Sequence, residues 1–187
     1  MSQIRVIAGR FGGRRLDAPE EGNTRTKPMG ERIRNALFNS LSGELEGARV
    51  LDAFAGTGAV GLEALSRGAS FVSFIERDKI AAKIVTKNVV SLGVEDNSEI
   101  VNTSVANWLS TAKPENYDII FADPPYNDVQ LSTVSMLTGL LKPNGLMVLS
   151  HPGRGEVPNL EKLGIVVVDN RSYGNAFLTF FRRDTRL

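Results

Sequence analysis

Asp123-Pro124-Pro125-Tyr126 is the stretch whose residue types and spacing could do chemistry. It follows Tyr117-Asp118-Ile119-Ile120-Phe121-Ala122, a β-branched and aromatic run that reads as a buried strand stopped abruptly by two prolines. A proline has no N–H and pushes the residue before it out of the helical region, so Asp123 and Pro124 are expected to be extended with free carbonyls. A carboxylate, a fixed carbonyl and an aromatic ring within four residues make a receptor for a planar ring bearing an exocyclic NH2. The lone pair of such an amine is delocalised into its ring. Two acceptors held off the ring plane would favour pyramidal geometry and free that pair, and the Asp123 carboxylate would stabilise the positive charge that grows during attack on an electrophile. Tyr126 would stack on the ring. The same residues also suit an ordinary turn that ends a strand, so the rest of the chain must decide.

The surrounding elements supply a frame that could hold such a strand end. Ile4 to Ala8, Gly9 to Gly13 and Arg14 to Leu16 read as a small hairpin. Ile33, Leu37 and Leu41 recur at helical spacing before Gly43. From Ala48 a strand–loop–helix rhythm repeats: strands at 49–54, 71–75, 100–103, 117–122, 146–150, 165–168 and 177–181, with helices at about 60–68, 79–93, 105–109 and 129–141 and near Leu160. Such alternation implies an α/β, doubly wound, mostly parallel seven-stranded sheet covered on both faces. The last two strands are too close for a crossover, so the last strand should be antiparallel. The whole reads as one domain, with residues 1–43 an appendage on a core of residues 48–187.

Composition excludes several classes. The 187 residues contain no cysteine and one histidine, which removes disulfide frameworks and thiolate zinc sites and leaves no metal site to expect. No apolar run approaches a membrane span or a signal peptide core, so a soluble, cytoplasmic protein without a membrane partner is expected. The net charge of +1 hides an asymmetry: residues 1–40 carry eight Arg/Lys against four Asp/Glu. A basic arm on a slightly acidic body suits contact with a polyanion, although exposed arginines also serve solubility.

Gly56-Thr57-Gly58-Ala59-Val60-Gly61 matches the dinucleotide fingerprint, with Glu76 near the place of a ribose-binding acid. A nicotinamide enzyme is therefore one reading. Against it, Asp52 ends the preceding strand, and an acid there repels pyrophosphate but suits an ammonium. Asp52-Ala53-Phe54-Ala55-Gly56-Thr57-Gly58 resembles the first motif of class I S-adenosylmethionine-dependent methyltransferases. That resemblance implies a Rossmann-like methyltransferase fold and S-adenosylmethionine as cofactor. It further implies that Gly56, Thr57 and Gly58 admit the methionyl part, Asp52 faces its amino group, and Glu76 takes the ribose hydroxyls. Arg77, Ser104 and Val105 would lie at the adenine, although many relatives carry Asp or Asn where Ser104 stands. Asp123-Pro124-Pro125-Tyr126 is in turn similar to the fourth motif of the amino-methyltransferases, which makes Asp123, Pro124 and Tyr126 the expected catalytic residues.

From Arg5-Val6-Ile7-Ala8-Gly9 through Thr26-Lys27-Pro28 to Glu31 and Leu41, the chain resembles the bacterial 16S ribosomal RNA guanine-N2 methyltransferases of the RsmD family. The likeness runs through nearly the whole chain and implies a guanine flipped from 16S rRNA, in the 30S subunit or an assembly intermediate, as substrate of a monomeric enzyme. Arg5, Arg10, Arg14, Arg15, Arg25, Lys27 and Arg32 would hold phosphates, and Tyr126 the base. Met29-Gly30-Glu31 departs from the Thr-x-Asp common in relatives, which weakens a capping or RNA role there. An adenine N6 methylase acting on RNA or DNA, and a non-catalytic rRNA-binding assembly factor, are the alternatives. Lys79, Lys83 and Lys87 at four-residue spacing read as a solvated helix face or a second rRNA contact, Trp108 as core, and His151 as a loop residue.

Overall fold

The computed structural model describes residues 4–19, 29–41, 43–153 and 157–184. In chain order these form β1 (Ile4–Arg5), β2 (Arg15–Leu16), α1 (Glu31–Ser40), β3 (Arg49–Asp52), α2 (Ala59–Ser66), β4 (Phe71–Ile75) and α3 (Lys79–Leu92). They continue with β5 (Ser98–Val101), α4 (Val105–Leu109), β6 (Tyr117–Ala122), α5 (Leu131–Leu137), β7 (Leu141–His151), β8 (Ile165–Tyr173) and β9 (Ala176–Arg183). β1 and β2 form the expected hairpin, Ile4 opposite Leu16. The other seven strands make one sheet in the spatial order β5-β4-β3-β6-β7-β9-β8. β5 to β7 are parallel, and β9 runs antiparallel to both its neighbours.

Alternation along the central strands builds two cores. Val50, Ile119, Phe121, Leu146 and Val148 point to the face covered by α1, α2, α3 and the hairpin, whereas Leu51, Ile120, Ala122, Met147 and Leu149 point to the face covered by α4 and α5. Because both faces are buried, the strands are apolar at nearly every position and show no polar side. α2 lies unusually close to the sheet. A Cβ on Gly61 would stand 2.3 Å from the Phe74 ring, so this position admits glycine alone. No helix among the described residues is long and apolar enough to cross a membrane.

Several boundaries differ from those expected. β5 begins at Ser98, where pairing with Val72 starts, and ends before Asn102. Gln130 takes a left-handed backbone (φ 52°), so α5 starts after it, and a 3-10 turn at Thr138–Leu140 leads directly into β7. The helix expected near Leu160 is one 3-10 turn, Glu161–Leu163, stopped by Gly164. β8 and β9 run through the polar stretch taken for a loop and turn at Gly174-Asn175, because the hairpin pairs Tyr173 with Ala176. His151 is the last residue of β7 rather than a loop residue; it is buried, Nε2 3.0 Å from the Thr179 hydroxyl and Nδ1 accepting from the Gly153 N–H. Trp108 packs at the core's edge with its ring centroid 6.4 Å from that of Tyr117.

The N-terminal hairpin is clamped down. Glu63, fully buried on α2, accepts from the Ile7 and Ala8 N–H groups at 2.7 and 3.1 Å and from Arg67 Nε at 2.7 Å. The Ser66 hydroxyl accepts from the Phe11 N–H, and its carbonyl from Arg10 N–H. Gly9, at φ +80°, passes so near this point that a Cβ would meet the Ser66 carbonyl oxygen at 2.0 Å. On α3, Asn88 accepts from Asp17 N–H and donates to the carbonyls of Asp17 and Thr57. The helical pattern missed Arg34, which is buried in α1 and donates to the carbonyls of Arg5 and Met29.

Candidate active site

The carboxyl ends of β3, β4, β5, β6 and β7 open into one cleft of about 1220 Å3. That exceeds the usual ~300–1,000 Å3 of a small-molecule site, which leaves room for a donor and an acceptor together. Of the residues expected from sequence, Gly56, Thr57, Glu76, Arg77, Ser104, Val105, Asp123, Pro124 and Tyr126 line it. Asp52 and Gly58 stand behind the lining: Asp52 is buried with its carboxylate 2.9 Å from the Gly61 N–H, and Gly58 caps α2 with a left-handed backbone. Arg5, Arg10, Arg14, Arg15 and Arg32 are exposed and outside the cleft lining. Arg25 and Lys27 lie outside the described residues.

Register brings the two motifs together. β3 pairs with β6, Asp52 opposite Phe121, so the glycine loop and Asp123 emerge from neighbouring strand ends. β6 in turn pairs with β7, Ala122 opposite Leu149, which puts Ser150 beside Asp123. The Ser150 hydroxyl is 2.9 Å from the Tyr126 hydroxyl and lies near enough to Asp123 to favour its ionised form. Sequence reasoning missed Ser150; its only signal was its place at the end of the strand next to Asp123. The Pro125 carbonyl is taken by the Asp128 N–H, whereas no partner is seen for the Pro124 carbonyl among the described residues. Asp123 and Pro124 thus present two acceptors beside an aromatic ring.

On the other side, Glu76 is held in place rather than free. Its carboxylate accepts from Gly56 N–H and Asp78 N–H, both at 2.7 Å. In a dinucleotide site the glycine-loop N–H groups face pyrophosphate; here one is already occupied by a carboxylate, which disfavours that reading. Asn102, another residue the sequence did not signal, donates to the carbonyls of Glu76 and Arg77 and fixes this corner. The arrangement suits a phosphate-free cation: Glu76 and Asp123 line the cleft with Asp52 buried behind them, Gly56 has open space where a Cβ would be, and the buried Thr57 hydroxyl has no partner among the described residues. These features fit the sulfonium, ribose and amino groups of S-adenosylmethionine. Among the described residues no group of three acidic or histidine side chains could hold a metal ion.

Burial raises all three carboxyls. Asp123 is pushed up to about 6 by burial, opposed by the nearby Ser150 hydroxyl. Asp52 is pushed up to about 7, by burial first, with the Gly61 N–H opposing and the charges of Asp123 and Glu76 adding. Glu76 is raised by burial against the hydrogen bonds of Asp78 and Gly56. A carboxyl with a raised folded-state pKa contributes stability below its unfolded value of ~3.9 that is lost as pH rises through the folded value. The unfolding free energy of the cofactor-free protein, from denaturant titrations, should therefore fall between about pH 4 and 7, by roughly a few kcal/mol. Asp52→Asn, whose amide oxygen can still accept from Gly61, should flatten that dependence; an unchanged pH profile would contradict it.

The far rim consists of Met29, Gly30 and Ile33 at the start of α1 and Tyr173, Asn175 and Ala176 at the β8–β9 turn. Gly30 caps α1 without a side-chain bond, and Glu31 pairs with Arg5 at 3.0 Å, so Met29-Gly30-Glu31 supplies no capping side chain and ties α1 to the hairpin.

Residues 4–182 match the family described as Conserved hypothetical protein 95. The chain is 36% identical over 152 residues to the Ribosomal RNA small subunit methyltransferase D of Haemophilus influenzae, spanning 78% of this chain and 77% of that one. It is 30% identical over 186 residues to YlbH of Bacillus subtilis, a putative rRNA methyltransferase, spanning 96% and 99%. A solved Escherichia coli structure described as the putative methyltransferase yhhF superposes with a TM-score of 0.83 at 31% identity, covering 98% of this chain and 99% of that one. The chain therefore belongs to the ribosomal RNA small subunit methyltransferase D (RsmD) family and is an S-adenosylmethionine-dependent methyltransferase of the class I fold.

Proposed function

We propose that this enzyme methylates the exocyclic N2 of a guanine in 16S rRNA, flipped into the half of the cleft formed by β6 and β7. The observation that carries the reading is the placement of Asp123 and Pro124 as paired acceptors beside Tyr126, at the strand end adjoining the glycine loop. The bound cofactor supplies an electrophilic methyl group on a sulfonium. The protein does the rest: Asp123 and the Pro124 carbonyl draw the two amine protons off the ring plane, Tyr126 stacks on the base, and Ser150 holds the Tyr126 hydroxyl. Asp123, ionised above about pH 6, also takes up the proton the nitrogen must lose. Asp52 balances the cofactor's ammonium through the glycine loop, and Glu76 with Arg77, Ser104 and Val105 holds the ribose and adenine.

The exposed Arg10, Arg14, Arg15 and Arg32, together with Arg5, which Glu31 partly neutralises, hold RNA phosphates and orient the strand without reading its bases. Residues 1–43 thus serve as the RNA-positioning appendage and residues 48–187 as the catalytic core of a cytoplasmic monomer acting on the 30S subunit or an assembly intermediate. Both parts share one hydrophobic core, so the appendage is rigidly aimed.

The test is a labelled-methyl assay on 30S particles, free 16S rRNA and DNA, followed by nucleoside analysis. N2-methylguanosine from an rRNA substrate is the expected product. N6-methyladenosine, or label in DNA alone, would overturn the base assignment, and no incorporation anywhere would make the protein a binding factor.

A further inference from the structure

The outer face of α3 carries Lys79, Lys83 and Lys87, all exposed, interleaved with exposed Ile80 and Val90. No acidic residue occurs in the helix, and none of the three lysines forms an ion pair among the described residues. Three features run against what a merely solvated helix favours. Like charges at four-residue spacing repel one another. Lys79 occupies the first helical position, where the helix dipole disfavours a cation. Solubilising surfaces usually mix both signs and avoid bare aliphatic groups. Sequences that break such local rules together tend to do so where function demands it.

Both ends of this strip meet parts of the molecule already given a role. At the start of α3, Arg77 and Asp78 line the cleft. Near its end, Arg14 of the hairpin donates to the Ser91 carbonyl at 2.7 Å, one four-residue step beyond Lys87. The guanidinium therefore continues the lysine series. Lys79 to Ser91 spans about 18 Å at 1.5 Å per residue. Four cations thus run along α3 from the cleft rim to the hairpin, in a row that drifts around the helix axis.

We infer that the outer face of α3 is a phosphate track for the rRNA substrate, engaging its backbone between hairpin and cleft; this rests on the rRNA reading above. Ammonium groups act on phosphates as point charges and carry no base readout, so the track contributes affinity and orientation rather than sequence choice. Ile80 and Val90 give sugars an apolar surface between the cations.

The test compares wild type with the full-length triple variant Lys79→Gln/Lys83→Gln/Lys87→Gln and with a control, Lys113→Gln/Lys162→Gln, whose exposed lysines lie off α3. Binding of 16S rRNA is titrated against salt. The log–log slope of the triple variant should be shallower by about 2 to 3, and its KM for rRNA higher by about tenfold or more at 0.1 M salt. Its kcat and S-adenosylmethionine affinity should stay within about twofold of wild type, since no substituted residue touches the cleft. A wild-type slope in the triple variant, or a loss per charge no larger than the control's, overturns the track. So does a defect confined to anionic lipid vesicles. Wild-type protein that neither binds nor methylates rRNA would sink the rRNA reading and the track together, whereas intact methylation with an unchanged slope sinks the track alone.

Discussion

Asp123→Asn should lower methyl transfer to rRNA by about 10^3-fold while S-adenosylmethionine affinity changes by no more than about threefold. Asparagine keeps the shape and one acceptor but loses the charge that must face the nitrogen as it becomes positive. The side chain lies at the end of β6, on the acceptor side of the cleft, whereas the glycine loop and Glu76 form the other side. Acceptor chemistry and cofactor binding should therefore separate: kcat falls and calorimetry with the cofactor is nearly unaltered. The wild-type rate should also fall as pH drops through about 6, where Asp123 becomes protonated. In the variant that limb should vanish. Loss of cofactor binding instead, or an acid limb unchanged in the variant, would remove Asp123 from the chemistry.

Glu63→Ala should destabilise the fold by about 3–5 kcal/mol, because it strands three donors that the carboxylate now satisfies in a fully buried position. For a chain of this size that corresponds to a fall in Tm on the order of 10 °C. Two of those donors are hairpin backbone amides, so amide hydrogen exchange at Ile7 and Ala8 should accelerate before that of β3 or β6. A loss below about 1 kcal/mol would mean that apolar packing of Val6 and Phe11 docks the hairpin without help.

Much of this was legible in the chain because it is locally encoded. Fully apolar strands announce burial on both faces, the double proline marks where β6 stops, and Gly93 ends α3 in the left-handed backbone expected of a cap. The glycine loop could be located but not decided between cofactors. The tie from Gly56 N–H to Glu76 settles against pyrophosphate, and it spans twenty residues that no local pattern connects. Polarity misled at two places. Arg34 interrupts a helical stripe yet is buried, its two terminal nitrogens donating to backbone carbonyls while Nε finds no partner among the described residues. The polar run at 169–173 looked like a loop yet continues an edge strand, whose open side tolerates polar residues.

The sequence alone determined the residue chemistry: a carboxylate and prolines at a strand end, an acidic glycine loop, and a basic N-terminus. Which of these meet was left to the sheet. Strand order and register are non-local choices made by burying two apolar faces at once, and they alone set Ser150 beside Asp123, the glycine loop beside the acceptor motif, and the hairpin against α2 and α3. A side chain's neighbours across a sheet follow from pairing, and pairing is not written in any one strand.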